Sequence, residues 1–256
     1  MSKKTILITG ASRGLGQQLA LRYASPDVNL ILIARDMKCL ADVAASCQQQ
    51  GATTLTQCID VRNAADLKQF ILETDNSMPI DLVIANAGVA STLQPGWQTE
   101  KEEDVHHVMT CNVQGAMNTI NPLVDRMIAR KSGQIVLMSS LAGLRGLPQS
   151  PSYCASKAAV LVYGQSLRAW LSRYHLKVNV VCPGYVITDM SERLTGPKPF
   201  LISAEKAAGI IQKGLAKNKA IIAFPWQLNA LTKLAAFLPT KPVNAILNRF
   251  ESSNSG

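Results

Sequence analysis

The chain has 256 residues, of which 47% are hydrophobic and 17% are charged, and its formal net charge is +9. This length suits one domain with a substantial buried core, and the composition is that of a globular protein rather than a disordered chain. The sequence contains no apolar run of about 18 residues or more, which excludes a membrane-spanning helix.

Six cysteines occur at positions 39, 47, 58, 111, 154 and 182, and none of them has C-x-x-C or metal-ligand spacing. We therefore expect reduced thiols and no metal site. The first predicted strand begins near Lys4, which leaves no room for a signal peptide, so the expected location is the cytoplasm. The basic residues are spread through apolar sequence without a recognised reader motif, which argues against nucleic-acid binding.

The first predicted elements are a strand over 4–9, a glycine-rich turn and a helix over 14–24. This order is typical of the start of a dinucleotide-binding βαβ unit. Gly10 would permit the tight turn, and Gly14 and Gly16 would let the backbone approach a pyrophosphate at the helix N-terminus. The spacing is Gly-x3-Gly-x-Gly, and an ordinary glycine turn is the alternative.

A second predicted strand over 28–33 ends at Ala34-Arg35-Asp36. In a dinucleotide site, an acid at this strand end holds the ribose 2′-hydroxyl of NAD, whereas an arginine accommodates the 2′-phosphate of NADP. Arg35, together with Arg13 in the glycine loop, therefore favours NADP(H), although either arginine alone is typical of solvated surface charge. Asp36 is predicted to cap the following helix.

The rest of the chain continues the alternation of strands and helices. Strands are predicted near 53–59, 80–84, 133–138, 176–182 and 219–223, and helices near 36–50, 63–75, 99–130, 152–174 and 203–217. This alternation predicts a single α/β, Rossmann-like domain with a doubly wound parallel sheet of about seven strands. We expect the catalytic domain to span 1–225 and a helical extension to span 226–251.

Tyr153 and Lys157 are four residues apart, so on a helix their side chains share one face. A phenol has an unperturbed pKa of about 10. An ammonium about 4 Å away, at an effective dielectric near 20, would favour the phenolate by roughly 4 kcal/mol before desolvation. The pair therefore predicts a lowered tyrosine pKa and proton transfer near pH 7. A half-exposed helical pair without function is the alternative.

With these motifs the chain resembles the short-chain dehydrogenase/reductase family from about Lys4 to Thr188. The glycine loop matches the family's Thr-Gly-x3-Gly-x-Gly, and Ala85-Asn86-Ala87-Gly88 matches its Asn-Asn-Ala-Gly except at the first position. The other matching positions are Asp60 and Val61 beside adenine, Asn112 on a helix, Ser140 thirteen residues before Tyr153, and Pro183, Gly184, Val186 and Thr188 beside nicotinamide.

The resemblance implies a catalytic set of Asn112, Ser140, Tyr153 and Lys157. Tyr153 would be the acid, Lys157 would lower its pKa and bind the nicotinamide ribose, Ser140 would orient the carbonyl oxygen, and Asn112 would hold a water leading to solvent. A helix-bend asparagine and a strand-end serine are the alternatives. The implied cofactor site consists of Gly10, Ser12, Arg13, Gly14, Leu15, Gly16, Arg35, Asp60, Val61, Asn86, Ala87, Gly88, Tyr153, Lys157, Pro183, Gly184, Val186 and Thr188.

The segment 185–202 corresponds to the lid that closes over the substrate in this family. Its apolar content suggests a hydrophobic carbonyl or alcohol substrate, whereas the alternative is that these side chains pack the lid against the body of the domain. The residues concerned are Met190, Leu194, Pro197, Pro199, Phe200 and Leu201, with Leu141, Leu144 and Leu147 near the catalytic serine.

The tail is apolar and basic. After Glu205 the chain has seven basic residues and one acidic residue, so most of the net charge lies in the last fifth of the chain. Leucines and alanine recur there at helical spacing, which predicts an apolar helix face over 228–238. This helix would make reversible contact with a membrane surface, dock on the domain or form a dimer interface. It resembles the tails of family members that reduce lipid-like ketones, such as 3-ketosphinganine reductases and hydroxysteroid dehydrogenases.

The leading hypothesis is an NADP(H)-dependent carbonyl reductase or alcohol dehydrogenase, expected to be a dimer or tetramer. The second hypothesis is a protein that only senses NADP(H). Such a sensor would not need the proton-transfer residues, and their presence in this chain argues against it. A sugar-nucleotide epimerase or dehydratase shares Tyr-x-x-x-Lys, but usually needs a larger C-terminal region than this length allows.

Overall fold

The computed structural model describes residues 3–93, 98–194, 197–239 and 241. A seven-stranded parallel sheet forms the centre, with the order β3-β2-β1-β4-β5-β6-β9. A second, two-stranded sheet pairs β7 with β8. The strands are β1 (Lys4–Thr9), β2 (Val28–Ala34), β3 (Thr53–Cys58), β4 (Leu82–Ala85), β5 (Gln134–Met138), β6 (Lys177–Pro183), β7 (Val186–Ile187), β8 (Ile202–Ser203) and β9 (Ile221–Phe224).

Helices cover both faces of the large sheet. They are α1 (Gly14–Tyr23), α2 (Met37–Gln49), α3 (Ala64–Ser77), α4 (Glu102–Met109), α5 (Gly115–Arg130), α6 (Pro151–Leu171), α7 (Asp189–Glu192), α8 (Ala204–Ala216) and α9 (Trp226–Phe237). A π-helix spans Thr110–Gln114, and 3-10 turns span Leu141–Gly143 and Ser172–Tyr174. The predicted α/β doubly wound sheet of seven strands is confirmed.

Alternation along the strands builds two cores. Ile6 and Ile8 of β1 face one layer, which contains side chains of α1, α2 and α8. Leu7 faces the opposite layer, which contains side chains of α3, α5 and α6. All three β1 residues are fully buried. Because both sheet faces are covered, the central strands are continuous apolar runs, which is why they could be located from the sequence.

The predicted helix over 99–130 is the clearest difference in the main body of the domain. The structure starts α4 at Glu102, where three acidic residues in the first turn favour the helix N-terminus. A π-helix over Thr110–Gln114 then separates α4 from α5. The Thr110 hydroxyl donates to the carbonyls of His106 and His107, at 2.8 and 3.2 Å, which competes with regular backbone pairing. Asn112 lies in this irregular turn.

The tail helix α9 has two different sides. Leu228 on the inner side packs with Leu141, Leu161 and Val180 in a small third core. The predicted apolar face is therefore split, because Leu231 and Leu234 are 55% and 59% exposed instead of sharing that core. Residues 242–251 of the predicted extension lie outside the described residues. Within the described part of the chain, no helix is long and apolar enough to cross a membrane.

Candidate active site

The glycine loop after β1 lies at the carboxyl edge of the sheet, against the loop after β4. Gly10 has a positive φ of 65°, and a Cβ there would lie 2.8 Å from the Ala87 Cα. The Asn86 side-chain amide donates to the carbonyl oxygens of Thr9 and Gly10 at 3.0 and 3.1 Å. The Thr9 hydroxyl in turn accepts from the backbone N–H groups of Asn86 and Ala87 at 3.1 and 3.2 Å. These bonds fix the turn that precedes α1.

The start of α1 provides a close approach of backbone and helix. A Cβ at Gly16 would collide with the carbonyl oxygen of Gly10 and lie 2.5 Å from the Asn86 side-chain nitrogen. Arg13, the residue before α1, has extended backbone and makes no side-chain cap. The first N–H groups of α1 therefore have no side-chain cap from Arg13, as a phosphate site requires. Ser12 and Leu15 belong to the same turn.

The two arginines of the predicted adenosine site are both paired with carboxylates. Arg13 contacts Asp36 at 2.9 Å and Asp189 of α7 at 3.4 Å. Arg35 lies 3.9 Å from Asp60. The predicted capping role of Asp36 is confirmed, because its carboxylate accepts from the Cys39 backbone N–H at 3.1 Å. That bond, with help from Arg13, lowers the pKa of Asp36.

Arg62 is a third cation at this end and was missed by the sequence reasoning. Its guanidinium donates to Asp60 at 2.7 Å and contacts His107 Nδ1 at 3.1 Å. The hydrogen bonds from Arg62 lower the pKa of Asp60. The sequence places Arg62 only two residues after Asp60, and this spacing could have indicated the pair. An arginine at such a position is, however, usually a solvated surface residue. Val61 is buried and packs against Gly115, where a Cβ would collide with it.

Tyr153 and Lys157 lie on the first two turns of α6. The Lys157 ammonium is 5.6 Å from the centroid of the Tyr153 ring and donates to the carbonyl of Met138 at 3.0 Å. Lys157 is only 6% exposed. Burial lowers its pKa from 10.5 to about 8.

The expected lowering of the tyrosine pKa is wrong for this structure. Burial raises the pKa of Tyr153 to about 12, and a hydrogen bond with Ser140 opposes that rise. A nearby ammonium lowers the pKa of a hydrated phenol, whereas the folded chain places this phenol in a desolvated position, where the neutral form is favoured. At neutral pH the phenol is therefore protonated and the lysine is charged.

Ser140 lies beside this phenol at the end of β5. Its hydroxyl donates to the carbonyl of Pro183 at 3.3 Å and accepts from the Ala142 N–H at 3.1 Å, so it caps the 3-10 turn. Ser140 therefore also has the structural role of a serine after a strand end, which was the alternative to a catalytic role. A hydrogen bond with Tyr153 places Ser140 beside the predicted proton donor.

Asn112 reaches the same centre from the π-helix. Its side-chain oxygen accepts from the Val89 N–H at 2.8 Å, and its nitrogen donates to the Val89 carbonyl and the Ser156 hydroxyl, both at 2.9 Å. A Cβ at Gly88 would lie 3.1 Å from the Asn112 oxygen and 3.3 Å from the Lys157 nitrogen. Gly88 therefore lets Asn112 and Lys157 approach one loop together. π-Helical turns such as the one that carries Asn112 often occur at functional sites.

The predicted nicotinamide side begins at the end of β6. Thr188 caps α7 by accepting from the Ser191 N–H at 3.3 Å, and its methyl would lie 3.1 Å from a Cβ at Gly14. This places the Pro183–Thr188 segment against the glycine loop. Val186 is 8% exposed and pairs with Ile202 in the small sheet. A Cβ at Gly184 would lie 2.7 Å from Leu228 of α9.

The leucines near Ser140 behave differently from the rest of the predicted substrate surface. Leu141 is 4% exposed and Leu144 packs beside it in the third core, so both support the site from behind. In the lid, Ile187, Met190 and Phe200 are 48%, 38% and 45% exposed. Among the described residues no group of three or more His, Cys, Asp or Glu side chains is placed to hold a metal ion.

Comparison with known proteins identifies the family. The short chain dehydrogenase family matches residues 4–198. An uncharacterized oxidoreductase from Myxococcus xanthus is 35% identical over 97% of this chain and 98% of its own length. The chain therefore belongs to the short chain dehydrogenase family.

Solved structures agree in fold and differ in their bound cofactor. A short-chain dehydrogenase from Sphingobium yanoikuyae in complex with NADPH has a TM-score of 0.80 at 25% identity, over 92% of this chain and 96% of that one. A short chain dehydrogenase from Mycobacterium paratuberculosis bound to NAD has a TM-score of 0.75 at 25% identity, over 87% and 95% of the two chains. The protein is an oxidoreductase of carbonyl or alcohol groups that uses a nicotinamide cofactor.

Proposed function

We propose that this protein reduces a hydrophobic ketone or aldehyde, or oxidises the corresponding alcohol, with NADP(H) as the hydride carrier. The observation that carries the proposal is the joint placement of Tyr153, Ser140, Lys157 and Asn112 at the carboxyl edge of the sheet beside the glycine loop. A protein that only senses the cofactor would have no need of this set. The glycine loop suits the pyrophosphate of the cofactor, because the start of α1 has no side-chain cap from Arg13 and its first N–H groups can donate to an anion.

NADPH would supply the hydride. The chain's part is to deliver a proton to the carbonyl oxygen and to stabilise the charge that develops there. Tyr153 is the donor, since its raised pKa keeps the phenol protonated at neutral pH. Ser140 shares a hydrogen bond with that phenol and is placed to hold the substrate oxygen beside it.

Lys157 and Asn112 support the donor. The charged ammonium beside the phenol stabilises the phenolate that remains after transfer. The Lys157 ammonium, whose pKa is about 8, loses its proton as the pH rises through that value. Asn112 borders the lysine across Gly88, where it would hold the water that returns a proton from solvent. That water is an expectation carried over from the family resemblance.

The preference for NADP(H) rests on charge at the adenosine end. Arg13, Arg35 and Arg62 converge there, and the two cations predicted from the sequence are 52% and 58% exposed in their side chains. Exposed guanidinium groups can leave a carboxylate partner for a 2′-phosphate, with which they form charge-assisted hydrogen bonds. Asp36, by contrast, caps α2 by accepting from the Cys39 N–H, so one of its carboxylate oxygens is already engaged.

The proposal of a hydrophobic substrate depends on the exposed apolar side chains of the lid. The small sheet closes the base of the lid, since the Ile202 N–H donates to the Tyr185 carbonyl at 3.2 Å. Although the two ends of the lid are paired in this way, the side chains of Ile187, Met190 and Phe200 remain exposed and do not pack into a core. An apolar substrate would cover those side chains and gain their burial.

Titration of the purified protein with NADPH and NADH by fluorescence tests the cofactor, and NADPH consumption with short-chain and long-chain ketones tests the substrate. Selective NADPH binding with faster turnover of long chains is the expected result. Absence of turnover on a broad panel of ketones and aldehydes would overturn the enzyme proposal. Equal affinity for both cofactors would overturn only the NADP preference.

For the tail, we propose reversible contact with an anionic lipid surface through the outward side of α9. Trp226, Leu234 and Phe237 are 73%, 59% and 89% exposed there, and Lys233 is exposed beside them. Apolar and basic side chains on one short exposed helix are typical of interfacial binding. The expected homo-oligomer is the competing explanation, because a second subunit could cover the same side.

Vesicle sedimentation distinguishes the two explanations. Wild type should pellet with anionic vesicles more than with neutral ones, and Trp226→Ser with Phe237→Ser should abolish the difference. Trp170→Ser on α6, also an exposed tryptophan at 45%, is the matched control. If the double variant instead pellets like wild type and changes the sedimentation mass, the outward side is a subunit interface and the lipid proposal is wrong.

A further inference from the structure

The first turn of α6 carries the proton donor but lacks a cap of its own. Pro151 occupies the first helical position, and Ser150 before it makes no side-chain cap. Tyr153 is therefore only the third residue of its helix. The first turn of a helix has unsatisfied N–H groups and is where fraying occurs. The position of the catalytic phenol thus depends on whatever satisfies that turn.

Glu100, two residues before α4, supplies the missing partner. One of its carboxylate oxygens accepts from the Ser152 backbone N–H at 3.0 Å. The other accepts from the Ser152 hydroxyl at 2.7 Å and from the Ser91 hydroxyl at 2.5 Å. Because Pro151 has no N–H, the Ser152 group is the first donor that α6 offers. A carboxylate at this end also complements the helix dipole.

The same contacts join α6 to the loop that Asn112 holds. Ser91 lies two residues after Val89, whose N–H and carbonyl both bond to Asn112. The hydroxyl oxygens of Ser91 and Ser152 are 2.8 Å apart, so the three polar groups form one closed cluster. The backbone of Leu93 adds a bond to the Gln149 carbonyl at 2.8 Å, just before α6. The Glu100 carboxylate thus connects the start of α6, which carries Tyr153, with the loop that is bonded to Asn112.

Resting on the function proposed above, we propose that Glu100 is a positioning residue that holds Tyr153 in register with the substrate carbonyl by capping α6 from outside the helix. Glu100 itself does not touch the reacting atoms. Its removal frees the first turn and lets the phenol move relative to the carbonyl. A displacement of about 1 Å can cost roughly 100-fold in rate. We expect cofactor affinity to be unaffected, because the glycine loop and the arginines keep their contacts and Lys157, one turn further along α6, keeps its bond to the Met138 carbonyl.

Glu100→Ala and Glu100→Gln test the proposal, and Glu103→Gln is the control because Glu103 is an exposed acid in the first turn of α4. We expect kcat to fall on the order of 10- to 100-fold in Glu100→Ala, and less in Glu100→Gln, whose amide oxygen can still accept from the Ser152 N–H. The Kd for NADPH should not change. The control should behave like wild type.

The primary isotope effect with NADPH deuterated at the transferred hydrogen separates positioning from folding. A misplaced donor makes the chemical step slower, so the isotope effect on kcat should rise in Glu100→Ala. A variant that merely loses folded protein would lose activity while keeping the wild-type isotope effect. That outcome, or wild-type kcat in Glu100→Ala, would overturn the proposal.

Hydrogen exchange of the segment 150–157 gives a readout that does not depend on turnover. We expect the first-turn amides of Glu100→Ala to exchange roughly fivefold faster than those of wild type, as loss of a helix cap requires. Unchanged exchange would show that Glu100 does not hold this turn. If wild type turned over no carbonyl compound, the proposed function would fail, and this measurement would still decide the role of Glu100.

Discussion

Replacing Lys157 by methionine should make the cofactor-free protein more stable and inactive. Lys157 is 6% exposed, and burial lowers its pKa from 10.5 to about 8. Such a shift corresponds to about 3 kcal/mol of penalty on the charged form at pH 7. Methionine has similar length and no charge, so it removes this penalty. It also removes the bond to the Met138 carbonyl, which offsets about 1 kcal/mol of the gain.

The stability gained in Lys157→Met should depend on pH, because the penalty applies only to the charged lysine. Below about pH 8 the lysine is charged in both the folded and the unfolded states, and the folded state carries the full penalty. Between about 8 and 10.5 the unfolded chain binds more protons than the folded one, so the stability of the wild type rises with pH. The advantage of Lys157→Met should therefore be about 2 kcal/mol at pH 7 and should shrink toward pH 10.

Urea unfolding of the cofactor-free protein at pH 7, 8.5 and 10 measures this advantage, with Lys38→Met on the exposed side of α2 as the control. The control should show no comparable gain at any pH. A Lys157→Met protein that is less stable than wild type at pH 7 would refute the reasoning. So would a gain that stays constant up to pH 10, because it could not come from the charge.

Three further predictions concern activity. Tyr153→Phe should keep the wild-type Kd for NADPH and lose roughly 100- to 10,000-fold in kcat, since only the proton donor is removed; turnover like that of wild type would contradict the assigned role. In the reductive direction, kcat should be level below pH 7 and fall about tenfold per pH unit well above pH 8, as Lys157 loses its proton while Tyr153 stays protonated; a level profile to pH 10 would contradict it. Arg13→Ala with Arg35→Ala should weaken NADPH binding about 30-fold more than NADH binding, whereas Arg22→Ala, a residue bonded to Gln212 on α8, should leave the ratio of the two Kd values unchanged.

The sequence by itself determined the features that depend on local geometry. The glycine turn, the cap at Asp36 and the shared helix face of Tyr153 and Lys157 each need only a few consecutive residues. Buried parallel strands are apolar throughout, so their order along the chain, and with it the fold, could also be predicted. The order of the motifs then pointed to the family that the comparisons confirm.

Tertiary structure decided the electrostatic state of the site and the partners of its charges. The pKa of Tyr153 rises instead of falling because segments distant in sequence remove water from the phenol. Arg13 pairs with Asp189, 176 residues away, and the cap of α6 comes from Glu100, 52 residues before Ser152. Desolvation and long-range pairing depend on which elements pack together, and sequence spacing carries no record of that.

The tail shows the same division. Helical spacing predicted the helix that the structure forms over Trp226–Phe237, because periodicity is a local property. It could not say which side would be covered. On α9, Leu228 packs with the small core at Leu141, Leu161 and Val180. Leu231 and Leu234 of the same helix remain exposed. Periodicity defines an apolar face, and only the shape of the surface beneath it decides how much of that face is buried.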